Sequence, residues 1–259
     1  MQAFYELAVE DYRELARARD WAALLVDRAE EPGRVRVLDV ACGSGKFPTA
    51  LVTEGLGSRA GDLCVDVDLL DPSPFSLDEA RAALAPPFRA AASHQVPIQD
   101  FGPPRRPYDV VWATHALYAV PPDELAEGLR RMMGSLRPKG IGAIAHATAA
   151  GHYIAAHEAY RASFAPAATP FVTAEHIAET LRELGVDLEI QSLRYRTHTD
   201  DDVVAERFIQ RCLFDDTRPL AQLLAPGPCG DELARYLSSC RRGDGWTFGH
   251  QAHLLTWEA

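Results

Sequence analysis

Two glycines, Gly43 and Gly45, directly follow the apolar run Val35-Arg-Val-Leu-Asp-Val40. Glycine permits a tight turn and leaves the backbone open to a closely bound ligand. Where such a turn opens a helix, free amides face an anionic group. A second apolar run, Leu63 to Leu70, ends at Asp71. A carboxylate at that place can accept hydrogen bonds from both hydroxyls of a ribose. Asp66 and Asp68 compete for the role, but Asp71 stands at the end of the run, directly before a helix start. A dinucleotide would need a third glycine for its pyrophosphate, and that position is Pro48, which argues against a nicotinamide cofactor. S-adenosylmethionine needs room only for its amino-acid tail.

These groups require a scaffold that holds strand ends side by side. The runs 35–40, 63–70, Tyr108 to Ala113 and Ile141 to Ala147 read as buried strands. Helical patterns separate them: a helix after the glycine loop through Leu51, one from about Ser73 to Ala85, and Pro121 to Leu136 with Leu125, Leu129, Met132 and Leu136 on one face. Ser73-Pro74 offers a helix cap, and Ser76-Leu-Asp-Glu79 an alternative capping box. Strands alternating with helices predict an α/β protein with a doubly wound parallel sheet. Residues 5–30 read as helical up to the break at Pro32-Gly33. Beyond residue 148 further helices are expected at 153–164, 173–184, 201–214 and 231–240, with strands at 186–196 and 246–257. One domain over residues 1–259 is expected. Its core spans 30–147, and its cap and substrate elements are 1–29, 148–172 and 198–245.

Composition narrows the function. The chain has 259 residues, 47% of them hydrophobic, enough to bury a sizeable core. Its 26 basic against 37 acidic residues give a net charge of -11, which disfavours nucleic acid and anionic membranes as general partners. No apolar run reaches membrane-spanning length and no leader is evident, so a cytoplasmic location is expected. The odd set Cys42, Cys64, Cys212, Cys229 and Cys240 suits reduced thiols better than a disulfide or zinc framework. His146, His152 and His157 form no recognised metal pattern, and His198 with Asp200, Asp201 and Asp202 reads as an acidic helix start. No metal is expected.

With these residues in view, the chain resembles the class I S-adenosylmethionine-dependent methyltransferases. Val37-Leu-Asp-Val-Ala-Cys-Gly-Ser-Gly45 is similar to their first motif and Asp71-Pro-Ser73 to their acidic second motif. Tyr108-Asp-Val-Val111 and Leu136-Arg-Pro-Lys-Gly140 resemble the fourth strand and the turn before the fifth. A narrower resemblance, to the histamine N-methyltransferase-like small-molecule methyltransferases, extends through Thr114-His-Ala-Leu-Tyr-Ala-Val120, Phe171-Val-Thr173 and the ending Gly249 to Ala259. It implies a Rossmann-like, seven-stranded sheet with a helical substrate cap. It implies S-adenosyl-L-methionine as cofactor, contacted at Gly43, Ser44, Gly45, Asp71, Pro72, Ser76 and Thr114, with Gln95 near the adenine.

On the acceptor side, the glutamine and asparagine that hold the imidazole in those enzymes fall on His115 and His250 here. Imidazole can donate, accept or take up a proton near neutral pH. His115 also follows the fourth strand, where ligands of such sheets bind. It is therefore the expected catalytic base or substrate anchor. Tyr118, Trp246, Phe248 and His250 are expected pocket residues, with Tyr5, Tyr12 and Trp21 closing over them. The acceptor expected is a small aromatic or amine-bearing metabolite of the natural-product kind, methylated on nitrogen or on a ring carbon such as indole C3. An O- or carboxyl-methyltransferase, or a cofactor-binding protein of the same fold without methylation, is the alternative.

Overall fold

The computed structural model describes residues 2–29 and 33–259, with side chains from Leu7 onward in the first helix, so the side chain of Tyr5 and the residue Pro32 lie outside the described residues. The sheet is built from β1 (Arg34–Val40), β2 (Cys64–Leu70), β3 (Phe88–His94), β4 (Tyr108–Thr114), β5 (Leu136–Ala147), β6 (Glu189–Thr199), the two-residue β7 (Arg241–Arg242) and β8 (Gly245–Glu258). Their spatial order is β3-β2-β1-β4-β5-β8-β6, with β7 paired to β8. β1 to β5 run parallel, while β8 runs antiparallel to both β5 and β6. The order reverses at β1 and β4, which opens a crevice beyond the carboxyl ends of those strands.

The helices are α1 (Gln2–Arg17), α2 (Trp21–Asp27), α3 (Lys46–Thr53), α4 (Leu56–Arg59), α5 (Pro74–Ala83), α6 (Leu125–Gly134), α7 (His152–Phe164), α8 (Ala174–Glu183), α9 (Asp202–Leu213), α10 (Leu220–Leu223) and α11 (Glu232–Cys240). The expected single helix over 5–30 is two. Asp20 starts the second by accepting from the Ala23 amide at 3.1 Å. The Trp21 indole N–H donates to the Leu15 carbonyl at 2.9 Å and so satisfies a carbonyl near the end of the first. β3 was absent from the sequence expectation. Its residues, Phe-Arg-Ala-Ala-Ala-Ser-His, lack β-branched side chains, and it forms as an edge strand against β2.

Each face of the sheet carries its own core. On one, Val35, Val37, Val65, Val67 and Trp112 pack against Trp21, Leu25, Phe47 and Leu51 of α2 and α3. On the other, Leu38, Val40, Val111 and Ile144 pack against Leu129 and Met132 of α6 and Ile177 and Leu181 of α8. A third cluster joins α1, α7, α9, α11 and the first half of β8 through Leu7, Ile154, Phe208, Leu237, Trp246 and Phe248. This helical cap stands over the end of the sheet where the crevice opens.

Candidate active site

The glycine loop is shaped by left-handed backbone. Ala41, Gly43 and Gly45 have φ of 49°, 51° and 70°. A side chain at Gly45 would also bring a Cβ within 3.1 Å of the Ala80 Cα in α5. At Gly43 a Cβ would meet nothing within 4 Å, so the missing side chain leaves open space above the loop. Phe47, at the start of α3, fixes the loop from below. Its ring sits edge-on to both Trp21 and Trp112, each at 5.1 Å between centroids.

Asp71 ties this loop to the end of β2. One carboxylate oxygen accepts the Gly43 amide at 3.1 Å, and the other accepts the Ser73 amide at 2.8 Å. The cap of α5 is Ser73, whose hydroxyl accepts the Ser76 amide at 3.3 Å, so Asp71 is not spent as a helix cap. Each oxygen keeps a second acceptor site, which is what a pair of ribose hydroxyls would use. The competing carboxylates are engaged elsewhere. Asp66 pairs with Arg34 and Arg89, and Asp68 accepts from the Tyr108 hydroxyl at 2.6 Å and the Ala92 amide at 3.1 Å.

The remaining expected cofactor positions stand at or just beyond the carboxyl ends of β1 to β4, with Gln95 also lining a separate cavity beside Asp68, His94 and Tyr108. Ser44 lies in the loop, Pro72 follows Asp71, and Ser76 is in the first turn of α5. Thr114 ends β4. Gln95 follows β3, and the neighbouring His94 carbonyl accepts the Asp71 amide at 3.2 Å. The donor set matches the proposed ligand: a glycine gap for a zwitterionic tail, and a fixed carboxylate for the ribose. Behind the loop, burial pushes the Asp39 carboxyl up to about 7, opposed by the Trp112 indole and reinforced by Asp71.

Next to the crevice, under the cap, lies a cavity of about 160 Å³. Asp11, Tyr12, His115, Tyr118, Tyr153 and Phe171 form its inner wall. His115 leaves β4 in the left-handed region, with φ 51°, and its amide donates to the Ala145 carbonyl at 2.8 Å. Its Nδ1 lies 3.0 Å from the Tyr118 hydroxyl, and its ring meets Tyr12 edge-on at 5.8 Å. Burial lowers its pKa, opposed by Asp11 and reinforced by His250. The ring is therefore neutral near neutral pH and can take a proton.

Asp11 was missed from the sequence. It is 2% exposed, and the hydroxyls of Tyr153 and Tyr195 both donate to its carboxylate. Burial raises its pKa, with His115 opposing. A signal existed: Leu7, Asp11 and Leu15 fall on one helical stripe, and an acid within an apolar stripe has been buried for a reason.

Three expected pocket residues stand elsewhere. His250 does not line the cavity but backs it. Its Nδ1 is 3.6 Å from Asp11, its Nε2 is 2.9 Å from the Thr197 hydroxyl, and burial brings its pKa down to about 4. Trp246 is in the cap core, where its indole N–H donates to Asp202 at 2.7 Å under the Arg241 guanidinium. Phe248 likewise packs on Phe208 and His152. Trp246, Phe248 and His250 alternate along β8 on one buried face, and that face meets the cap helices. Tyr12 and Tyr118 do line the cavity, whereas Trp21 lies beneath the glycine loop.

The strand order and the loop after β1 give the Rossmann-like fold that class I, S-adenosylmethionine-dependent methyltransferases share. Residues 37–140 match the family model described as a methyltransferase domain. The curated N-terminal Xaa-Pro-Lys N-methyltransferase 1 of Danio rerio is 29% identical over 129 residues, which are 42% of this chain and 57% of that enzyme. The match thus spans little more than half the length of that relative. Among solved structures, the YcgJ protein from Bacillus subtilis superposes with a TM-score of 0.58 at 13% identity, covering 92% of this chain and 97% of that one. Magnesium protoporphyrin IX methyltransferase from Synechocystis, solved with bound S-adenosylhomocysteine, gives a TM-score of 0.51 at 13% identity over 96% of this chain and 84% of that one. No helix among the described residues is long and apolar enough to cross a membrane.

Proposed function

We propose that this chain transfers a methyl group from S-adenosylmethionine to a small aromatic or amine-bearing acceptor, on nitrogen or on a ring carbon. The observation that carries this reading is the position of the cavity, with His115 on its wall immediately after Thr114 at the crevice edge. The cofactor supplies a methyl carbon already activated by its sulfonium. The protein's own work is alignment and proton handling. Gly43, Gly45 and Asp71 would hold the donor, and the aromatic wall would hold the acceptor in line. Orientation of this kind is worth up to roughly 7–11 kcal/mol of barrier.

His115, neutral and fixed through Tyr118, is the proposed acceptor of the proton that leaves the nucleophile. Asp11, close enough to stabilise its cationic form, is the counter-charge. Size supports a compact acceptor, since an apolar cavity of about 150 Å³ holds a benzene molecule. The curated relative's name points to a peptide amine, and a cavity of this size would admit only the end of such a chain. The test is incubation with candidate amines and indoles, read as a mass gain of one methyl and placed by NMR. Methylation confined to hydroxyl or carboxyl oxygen would overturn the nitrogen or carbon assignment. Failure to form S-adenosylhomocysteine with any acceptor would favour a cofactor-binding protein without transfer.

A further inference from the structure

The outer end of the cavity differs from the inner end. There the wall is made by Arg211, Cys212 and Phe214, where α9 stops. Arg211 is exposed and is the only arginine or lysine in the cavity wall among the described residues. Three other arginines of the cap are tied down. Arg218 bonds Asp215 at 2.9 Å and lies over Phe164, Arg161 bonds Glu158 at 2.8 Å, and Arg241 bonds Asp202 at 3.0 Å. Arg211 makes no ion pair or hydrogen bond through its side chain among the described residues.

Phe214 stands beside it with φ 55°, a left-handed conformation costly for a bulky residue, and is 67% exposed. Its ring packs on Phe171 at 5.1 Å, and Phe171 continues to Tyr118 at 5.7 Å. An aromatic wall therefore runs from the mouth to the residue that bonds His115. The helix dipole explains a basic residue in the last turn of α9, but not its place in the cavity wall.

We infer that the acceptor carries a carboxylate, which pairs with Arg211 at the cavity mouth while an aromatic ring extends inward toward His115. This rests on the reading of the cavity as the acceptor site. A guanidinium recognises a carboxylate through paired N–H donors, and the exposed setting lets the charged end remain partly hydrated. It also sets the carboxylate at the end remote from His115, so that the carboxyl group is not the atom methylated.

The test is calorimetric titration of indole-3-propionate and its neutral amide, indole-3-propionamide, into protein saturated with S-adenosylhomocysteine. The expected result is a preference for the carboxylate of roughly tenfold or more, the usual scale for a hydrogen bond to a charged group. Arg211→Gln should erase that preference and leave affinity for the amide unchanged. Arg207→Gln, one turn earlier and outside the cavity wall, should preserve it, and Arg211→Lys should retain part. Equal affinity of the two probes, a preference that survives Arg211→Gln, or no binding of either probe overturns the inference. If S-adenosylhomocysteine itself does not bind, the methyl-transfer reading falls. The same probe pair on the free protein then decides the role of Arg211 separately.

Discussion

At the glycine loop the polar groups are largely main-chain: the Gly43 and Ser73 amides, the turn itself, and one carboxylate that both amides orient. Under the cap they are side chains, Asp11, His115, Tyr118, Tyr153 and Arg211, drawn from α1, α7, α9 and the segment after β4. A main-chain site depends on local geometry and tolerates change in the rest of the molecule. A side-chain site depends on how distant elements pack. The first suits a cofactor shared by many enzymes, and the second suits an acceptor particular to one.

Substitutions should separate the two regions. The largest effect is expected from His115→Ala, which should lower turnover by roughly 10²–10⁴-fold, the range for a positioned base. Calorimetry should find the affinity for S-adenosylhomocysteine unchanged. Unaltered turnover would remove His115 from the chemistry. Phe47→Ala should follow, costing about 3–5 kcal/mol of stability by emptying the site between Trp21 and Trp112. Denaturant unfolding measures this, and a loss below about 1 kcal/mol would mean that the loop does not rely on that wedge. Asp71→Ala should weaken S-adenosylhomocysteine by roughly tenfold to a hundredfold, the scale of hydrogen bonds to a charged group. A kinetic effect with intact cofactor affinity would contradict its place in the crevice.

The smallest effect concerns pH, and here the regions should respond in opposite directions. Asp39, behind the loop, is raised from its ordinary value of 3.8 to about 7. Its contribution to stability is present at low pH and lost as pH rises through about 7. Burial lowers His146, near the end of β5, to about 3 and, in the cap, His157 and His250 to about 4, from an ordinary 6.5. Their contribution is present above about 6.5 and lost as pH falls toward those values. Each group can tilt the stability curve by at most about 1.4 kcal/mol per pH unit. Asp39→Asn should remove a fall in melting temperature as pH rises from about 3.8 to 7, and His157→Phe should remove a rise between about 4 and 6.5. A swap of those two outcomes would reverse the comparison.

The loop, Asp71, the parallel sheet and the place of His115 were readable in the sequence because each rests on neighbours within a few residues. β3 escaped because an alanine-rich edge strand has neither apolar alternation nor branched side chains. Asp11 and Arg211 escaped for a different reason. Their roles exist only once α1 and α9 pack together, two hundred residues apart in the chain. Trp246 was expected in the pocket as an aromatic near the end of the chain, yet residue type and strand alternation tell which residues share a face and not what that face meets.

β8 runs from Gly245 to Glu258 with its first half in the cap and its second half in the sheet core. It is paired along its whole length with β6, from Trp246 opposite Thr199 to Thr256 opposite Glu189. Along this seam cap and sheet cannot part without unzipping a strand ladder. The cavity opens away from this seam, at the end of α9, where Arg211 and Phe214 are exposed.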